Sequence, residues 1–262
     1  LGFVKQVDLL GNPLGIDLYA GLGGWSEGLL AEGYDVIGFD IERHVYGEAK
    51  YPAQLVLQDV LTLHGSQFRD AALIVASPPC QAYSYRAMPW KRAKALPPPD
   101  NSLFEACFRI QREASEAAGR YIPLVVENVC GAQKWVGRAR WHYGSFYLWG
   151  DVPALMPITG KSVKVGGFRF DGSGGSFQTA SVKATKNDGG SWFNIAHNTT
   201  SGKGQNPDGR KQKGSGPIWF DTGIAQHGSK TSARKAASAH IAKIPFALAC
   251  HIARAWNPER AA

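Results

Sequence analysis

Cys80 stands in the run Ser77-Pro78-Pro79-Cys80-Gln81, directly after the apolar stretch 72–76 (ALIVA). Two consecutive prolines stiffen the turn and fix where the next side chain points. A cysteine held at a strand end suits a nucleophile, because its thiolate is the reactive form and a helix N-terminus or cation stabilises it. For Cys107 and Cys250 the plainer reading is a small buried apolar residue. Glu127 and Asn128 follow a second apolar run, 123–126 (PLVV). That carboxyl group lies near Cys80 if the two strands are neighbours, and is otherwise an ordinary solvated strand end.

A third constellation is Asp17-Leu18-Tyr19-Ala20-Gly21-Leu22-Gly23-Gly24. Closely spaced glycines after a strand let the backbone approach a nucleotide-like ligand at a helix N-terminus. Plain strand–helix turns share this look. Asp40 and Asp59 close the next two apolar runs. A carboxylate about twenty residues beyond the glycines is placed to bond ribose hydroxyls, and one at the third strand end to accept from an adenine amino group. Each also suits a helix cap; together they point to an adenosine-containing cofactor. Residues 83–99 carry Arg86, Lys91, Arg92 and Lys94 around Trp90, as in a loop whose cations meet phosphates.

The elements that must position these groups alternate. Strands are predicted at 15–19, 35–39, 55–57, 72–76 and 123–127, with helices at 25–32 and 102–118. Strands alternating with helices make a doubly wound, mostly parallel α/β sheet, which binds ligands beyond the carboxyl ends of its strands. Beyond about residue 157 the texture turns to Gly, Ser, Lys and Asn with short aromatic islands. It reads as a small irregular, mostly β domain over 158–230, including the basic tract 202–216. Residues 232–256 return to helical texture and are expected to pack back on the first domain. The division is therefore 1–157 plus 231–262, and 158–230.

Composition sets outer bounds. The chain has 262 residues and a formal net charge of +8, which favours an anionic partner. Its four cysteines form no CxxC pair and its seven histidines no metal-binding spacing, so no protein-bound metal is expected. There is no membrane-length apolar run and no signal-peptide pattern. A cytoplasmic, reduced, monomeric protein without a membrane partner is the expectation, in a bacterial or phage-infected cell.

In order and approximate spacing, DLYAGLGG, SPPCQ and ENV resemble the DNA cytosine-5 methyltransferase family, with small phage-type members closest in flavour. The resemblance covers roughly residues 14–150. It implies a Rossmann-like fold, S-adenosylmethionine as methyl donor, S-adenosyl-L-homocysteine as product and double-stranded DNA as partner. Asp17, Tyr19, Ala20, Gly21, Gly23 and Gly24 would cradle the cofactor with Pro79. Asp40 would hold the ribose with Ile41 on the adenine, and Asp59 would read the adenine amino group beside Val60. Cys80 would attack cytosine C6, Glu127 would contact the target ring, and Asn128 would shape its pocket. Region 158–230 would recognise the target.

Gln81, Ser84, Arg86, Arg92, Lys183, Arg210 and Lys211 are the DNA-contact candidates, the basic ones on charge alone. The chemistry asks for these groups. Thiolate attack on C6 makes C5 nucleophilic, an acid near N3 eases it, and the cytosine must leave the duplex stack.

Two features depart from the pattern. The family's QxRxR motif has only Arg138-Ala139-Arg140 as its analogue, so Arg140 is a catalytic candidate or a phosphate contact. The C-terminal GN-containing turn is replaced by Ile241-Ala242-Lys243-Ile244-Pro245, whose cofactor contacts would run through backbone. The competing readings are an RNA (tRNA) cytosine-5 methyltransferase and a catalytically inert DNA-binding descendant. The target sequence and any restriction partner are not legible.

Overall fold

The computed structural model describes residues 11–46, 48–83, 97–156, 239, 240 and 242–260. The calls on Ser84, Arg86, Arg92, Lys183, Arg210, Lys211 and the region 158–230 lie outside these residues. The apolar runs become strands β1 (Leu14–Leu18), β2 (Asp35–Asp40), β3 (Gln54–Leu57), β4 (Ala71–Ala76) and β5 (Leu124–Asn128). These five are parallel neighbours in the order 3-2-1-4-5. The near-continuous hydrophobicity of β4 and β5 follows from burial on both faces, as parallel sheets require.

β6 (Trp141–Tyr143) and β7 (Phe146–Gly150) then form a hairpin that pairs antiparallel with β5, completing a seven-stranded, Rossmann-like sheet. Residues 143–151 are read from sequence as a strand after a shortened helix. The structure keeps a helix of only four residues before the hairpin, α3 (Gln133–Val136).

Each face of the sheet has its own core. Helix α2 (Ser102–Ala118) sets Phe104, Cys107, Ile110 and Ala114 on one stripe against β1, β4 and β5. That spacing is the amphipathic period, and Gly119 ends the helix at φ 63°. On the other face, α1 (Gly24–Ala31) packs with α4 (Phe246–Trp256) over Leu73, Val75, Val125 and Leu148. Arg254 forks onto the Glu32 carboxylate at 2.6 and 3.1 Å, and Lys243 pairs with Glu27. Cys107 is buried, as read from sequence; Cys250 on α4 is half-exposed.

Gly24 marks the closest approach of the C-terminal segment to α1. A Cβ there would lie 2.5 Å from the Ile244 amide nitrogen and 2.9 Å from its carbonyl oxygen, both backbone atoms. Gly24→Ala gains at most about 1 kcal/mol of helix propensity, whereas forcing backbone apart costs about 1–3 kcal/mol. The clash wins, and the variant should unfold several degrees lower in a thermal melt. An unchanged midpoint would mean that the segment yields freely.

Candidate active site at the carboxyl edge of the sheet

The strand order reverses between the parallel neighbours β1 and β4, so the crevice beyond their carboxyl ends is the ligand-binding position of such a sheet. Both main motifs open there. After β1 the backbone turns through left-handed conformations at Tyr19 (φ 62°), Gly21 (φ 53°) and Gly23 (φ 75°). Glycine adopts these without steric cost; a bulky residue such as Tyr19 seldom does. The Tyr19 hydroxyl donates to the Leu103 carbonyl at 2.7 Å, which ties the turn to the start of α2. Gly23 is packed from behind: a Cβ on it would lie 2.3 Å from Pro52 Cδ.

Asp40, at the end of β2, accepts from the Gly21 amide at 2.8 Å and the Glu42 amide at 3.2 Å. It therefore organises the glycine turn whatever else it binds. Next to it Ile41 is 74 % exposed, an apolar surface open to a flat ring. Asp59 caps a short 3-10 turn by accepting from the Leu61 amide at 2.9 Å. Val60 beside it is 3 % exposed, because the turn that Asp59 caps points its side chain into the core, which leaves its backbone to face a ligand.

After β4 the Pro78-Pro79 turn leads to Cys80, half-buried and outside any disulfide, whose carbonyl accepts from the Tyr83 amide at 3.0 Å. β4 and β5 are hydrogen-bonded neighbours. Asn128 fastens them further up. It is 1 % exposed, its Nδ2 donates to the Pro78 carbonyl at 2.9 Å, and its Oδ1 accepts from the Val129 amide at 2.8 Å. Glu127, one residue earlier, is 8 % exposed. The condition under which Glu127 could serve Cys80, adjacency of the two strands, is met.

Residues 15–134 match the family model of C-5 cytosine-specific DNA methylases. The matched segment, which holds Cys80 and Glu127, is a C-5 cytosine-specific DNA methylase domain.

Solved structures that resemble this chain include a protein described as a DNA modification methyltransferase encoded within an E. coli prophage, at 24% identity and a TM-score of 0.34. The match covers 47% of this chain and 34% of that one. The S. pombe Dnmt2 methyltransferase follows at 19% identity and 0.32, covering 47% and 36%. The Entamoeba histolytica methyltransferase EhMeth stands at 16% and 0.34, covering 47% and 40%. The chain thus spans between a third and two-fifths of the length of these structures. No curated protein matches it.

The remaining sequence candidates separate by position. Ala20 is buried and its amide donates to the Phe39 carbonyl at 3.0 Å; Pro79 and Gln81 are exposed beside Cys80. Arg138 and Arg140 are exposed ahead of β6, and the Arg140 amide donates to the Leu148 carbonyl at 2.8 Å, the residue that Glu127 faces in the sheet register. The two arginines line a cleft of about 470 Å³ with Gln133, His142 and Tyr147. The His142 and Tyr147 rings stack at 5.0 Å.

Three residues escaped the sequence reading. Ser26 and Tyr51 form a buried hydrogen-bonded chain with Asp17, and Ser77 accepts from Trp25 Nε1 at 2.9 Å. A hydroxyl in the first turn of a mostly apolar helix, above a carboxylate inside a strand, was the available signal for Ser26.

Proposed function

We propose that this chain is a DNA cytosine-5 methyltransferase that works through a covalent bond between Cys80 and C6 of a flipped-out cytosine. The observation that carries the proposal is the Asn128–Pro78 hydrogen bond, which joins the end of β5 to the Cys80 turn and keeps Glu127 on the same edge. The Cys80 thiolate adds to C6, and the ring becomes nucleophilic at C5. Glu127, shielded from water, hydrogen-bonds the ring near N3 and the exocyclic amine and stabilises the charge that addition creates. C5 then takes up a methyl group, and loss of its proton to a base with elimination of Cys80 restores the aromatic ring.

S-adenosylmethionine, when bound, supplies an electrophilic methyl group on a sulfonium sulfur. The residues fit such a ligand. The glycine turn leaves a cradle at a helix start, Ile41 offers an exposed apolar face, and Asp17 keeps a buried carboxylate oxygen that has no hydrogen-bond partner among the described residues. Asp17, Tyr19, Ala20, Gly21, Gly23 and Gly24 would hold the methionine and ribose side, Asp40 the ribose, and Asp59 the adenine. Residues 1–157 plus 231–262 are the proposed catalytic domain and 158–230 the target-recognition domain.

DNA is supported by the charge of the β6–β7 side. Residues 133–147 hold Lys134, Arg138 and Arg140, and no carboxylate. Replacing Arg138 and Arg140 together by alanine should weaken DNA binding about tenfold at low salt. It should also flatten the slope of log affinity against log salt by about 2, as two phosphate contacts are lost. Filter binding over a salt series reads both, and an unchanged slope would remove the two arginines from the interface.

The experiment that tests the function is incubation with labelled S-adenosylmethionine and unmethylated genomic DNA, with bulk tRNA in parallel, followed by base-resolution mapping. Label on cytosine C5 in DNA is expected. Label only in tRNA would transfer the activity to RNA, and no label in either would leave a non-catalytic DNA-binding protein.

A further inference from the structure

Asp17 is 1 % exposed, in the penultimate position of β1, immediately ahead of the glycine turn. Its Oδ2 lies 2.5 Å from Ser26 Oγ, and Ser26 Oγ lies 2.5 Å from the Tyr51 hydroxyl. Among the described residues its Oδ1 has no hydrogen-bond partner. Two hydroxyls in line can carry hydrogen bonds in either direction. When Asp17 is a carboxylate, Tyr51 donates to Ser26 and Ser26 to Asp17. When Asp17 is an acid, the order reverses.

The chain is therefore built to accept both protonation states without moving an atom far. It also sits directly behind the cradle. A Cβ on Gly23 would strike Pro52, and one on Gly38 would lie 2.2 Å from the Tyr51 hydroxyl.

The surroundings favour the acid. Burial is the dominant cause, the Asp40 carboxylate on β2 adds like charge, and the Ser26 and Tyr51 bonds offset part of it; the Asp17 pKa is pushed up to about 8. On α1, the neighbouring Glu27 is occupied by Lys243. A buried acid gives up its proton readily only when a positive charge arrives nearby.

The methyl donor brings such a charge. Its ammonium and carboxylate cancel, which leaves the sulfonium as one net positive charge; the demethylated product has none. Resting on the cofactor reading above, we propose that Asp17 carries a proton before the donor binds and releases it when the sulfonium ligand enters the glycine turn. Asp17 is then a specificity-determining residue that favours the cationic donor over its neutral product. By linkage, donor affinity rises about tenfold per pH unit below the Asp17 pKa and levels off above it.

Calorimetric titration of the whole chain at pH 7, in phosphate and in Tris, measures the proton directly, because the two buffers differ in ionisation enthalpy. S-adenosylmethionine should bind with release of close to one proton and S-adenosylhomocysteine with far less. Asp17→Asn should still bind the donor, more weakly and with no release. If Asp17→Asn does not fold, Tyr51→Phe serves instead: losing a bond that favours the carboxylate, it should move the end of proton release to higher pH.

Heat of donor binding that is independent of buffer would overturn the proposal. So would equal release with both ligands, or full release by Asp17→Asn. Failure of the wild type to bind either ligand would overturn the cofactor reading itself, and the assignment of Asp17 with it.

Discussion

Cys80→Ala should reduce methyl transfer by at least about a thousandfold, a barrier increase of about 4 kcal/mol, while donor binding changes by less than about twofold. The two halves of this expectation have separate causes. Without the thiolate there is no addition to C6, and C5 stays too weak a nucleophile to take the methyl group. The cofactor cradle is built from β1, β2 and the turn after β3, none of which depends on the Cys80 side chain. Structure should also survive, because the turn at Cys80 is held by backbone, through the Tyr83 amide and the Pro78 carbonyl.

Initial rates with labelled donor, together with equilibrium donor binding, check both halves. Turnover within tenfold of wild type would sink the covalent route. Joint loss of transfer and donor binding would mean that the substitution disturbs the edge as a whole.

Much of this edge was legible because its signals are local. The apolar runs of β4 and β5 announce doubly buried parallel strands, and prolines and glycines mark where the chain must turn. The strands at 35–39 and 72–76 are found in place with one residue added, and the helix at 102–118 matches without change. What escaped depends on contacts between distant residues. β6 has only three residues and exists because β7 pairs with it; no period can be read in so short a run. Val60 follows a candidate ligand, which hides that the 3-10 turn buries it. Asp40 was read for a ribose, yet its bond to the Gly21 amide, nineteen positions away, also makes it the brace of the cradle. The Asp17–Ser26–Tyr51 chain joins a strand, a helix and a loop, so no single window of sequence contains it.

Asn128 shows the same limit with the larger consequence for catalysis. A tripeptide at a strand end gives no hint that its amide reaches back fifty positions to the Pro78 carbonyl. Asn128→Ala removes the donor for that carbonyl and the acceptor for the Val129 amide in one step. Leaving a buried polar group unpaired costs about 1–3 kcal/mol, so the melting point should fall by several degrees.

The effect on rate should be larger. Cys80 and Glu127 act on the same ring, and displacing one by about 1 Å relative to the other costs about a hundredfold in kcat. KM for the donor should hold, since the cradle lies on β1 and β2. Asn128→Asp tests the donor itself. Its carboxylate still accepts from the Val129 amide, but it sets an oxygen against the Pro78 carbonyl and buries a charge, so neither the melting temperature nor kcat should recover. If kcat recovers in Asn128→Asp, or survives in Asn128→Ala while the protein merely melts earlier, the bond to Pro78 serves the fold alone. Cys80 would then owe its position to the prolines.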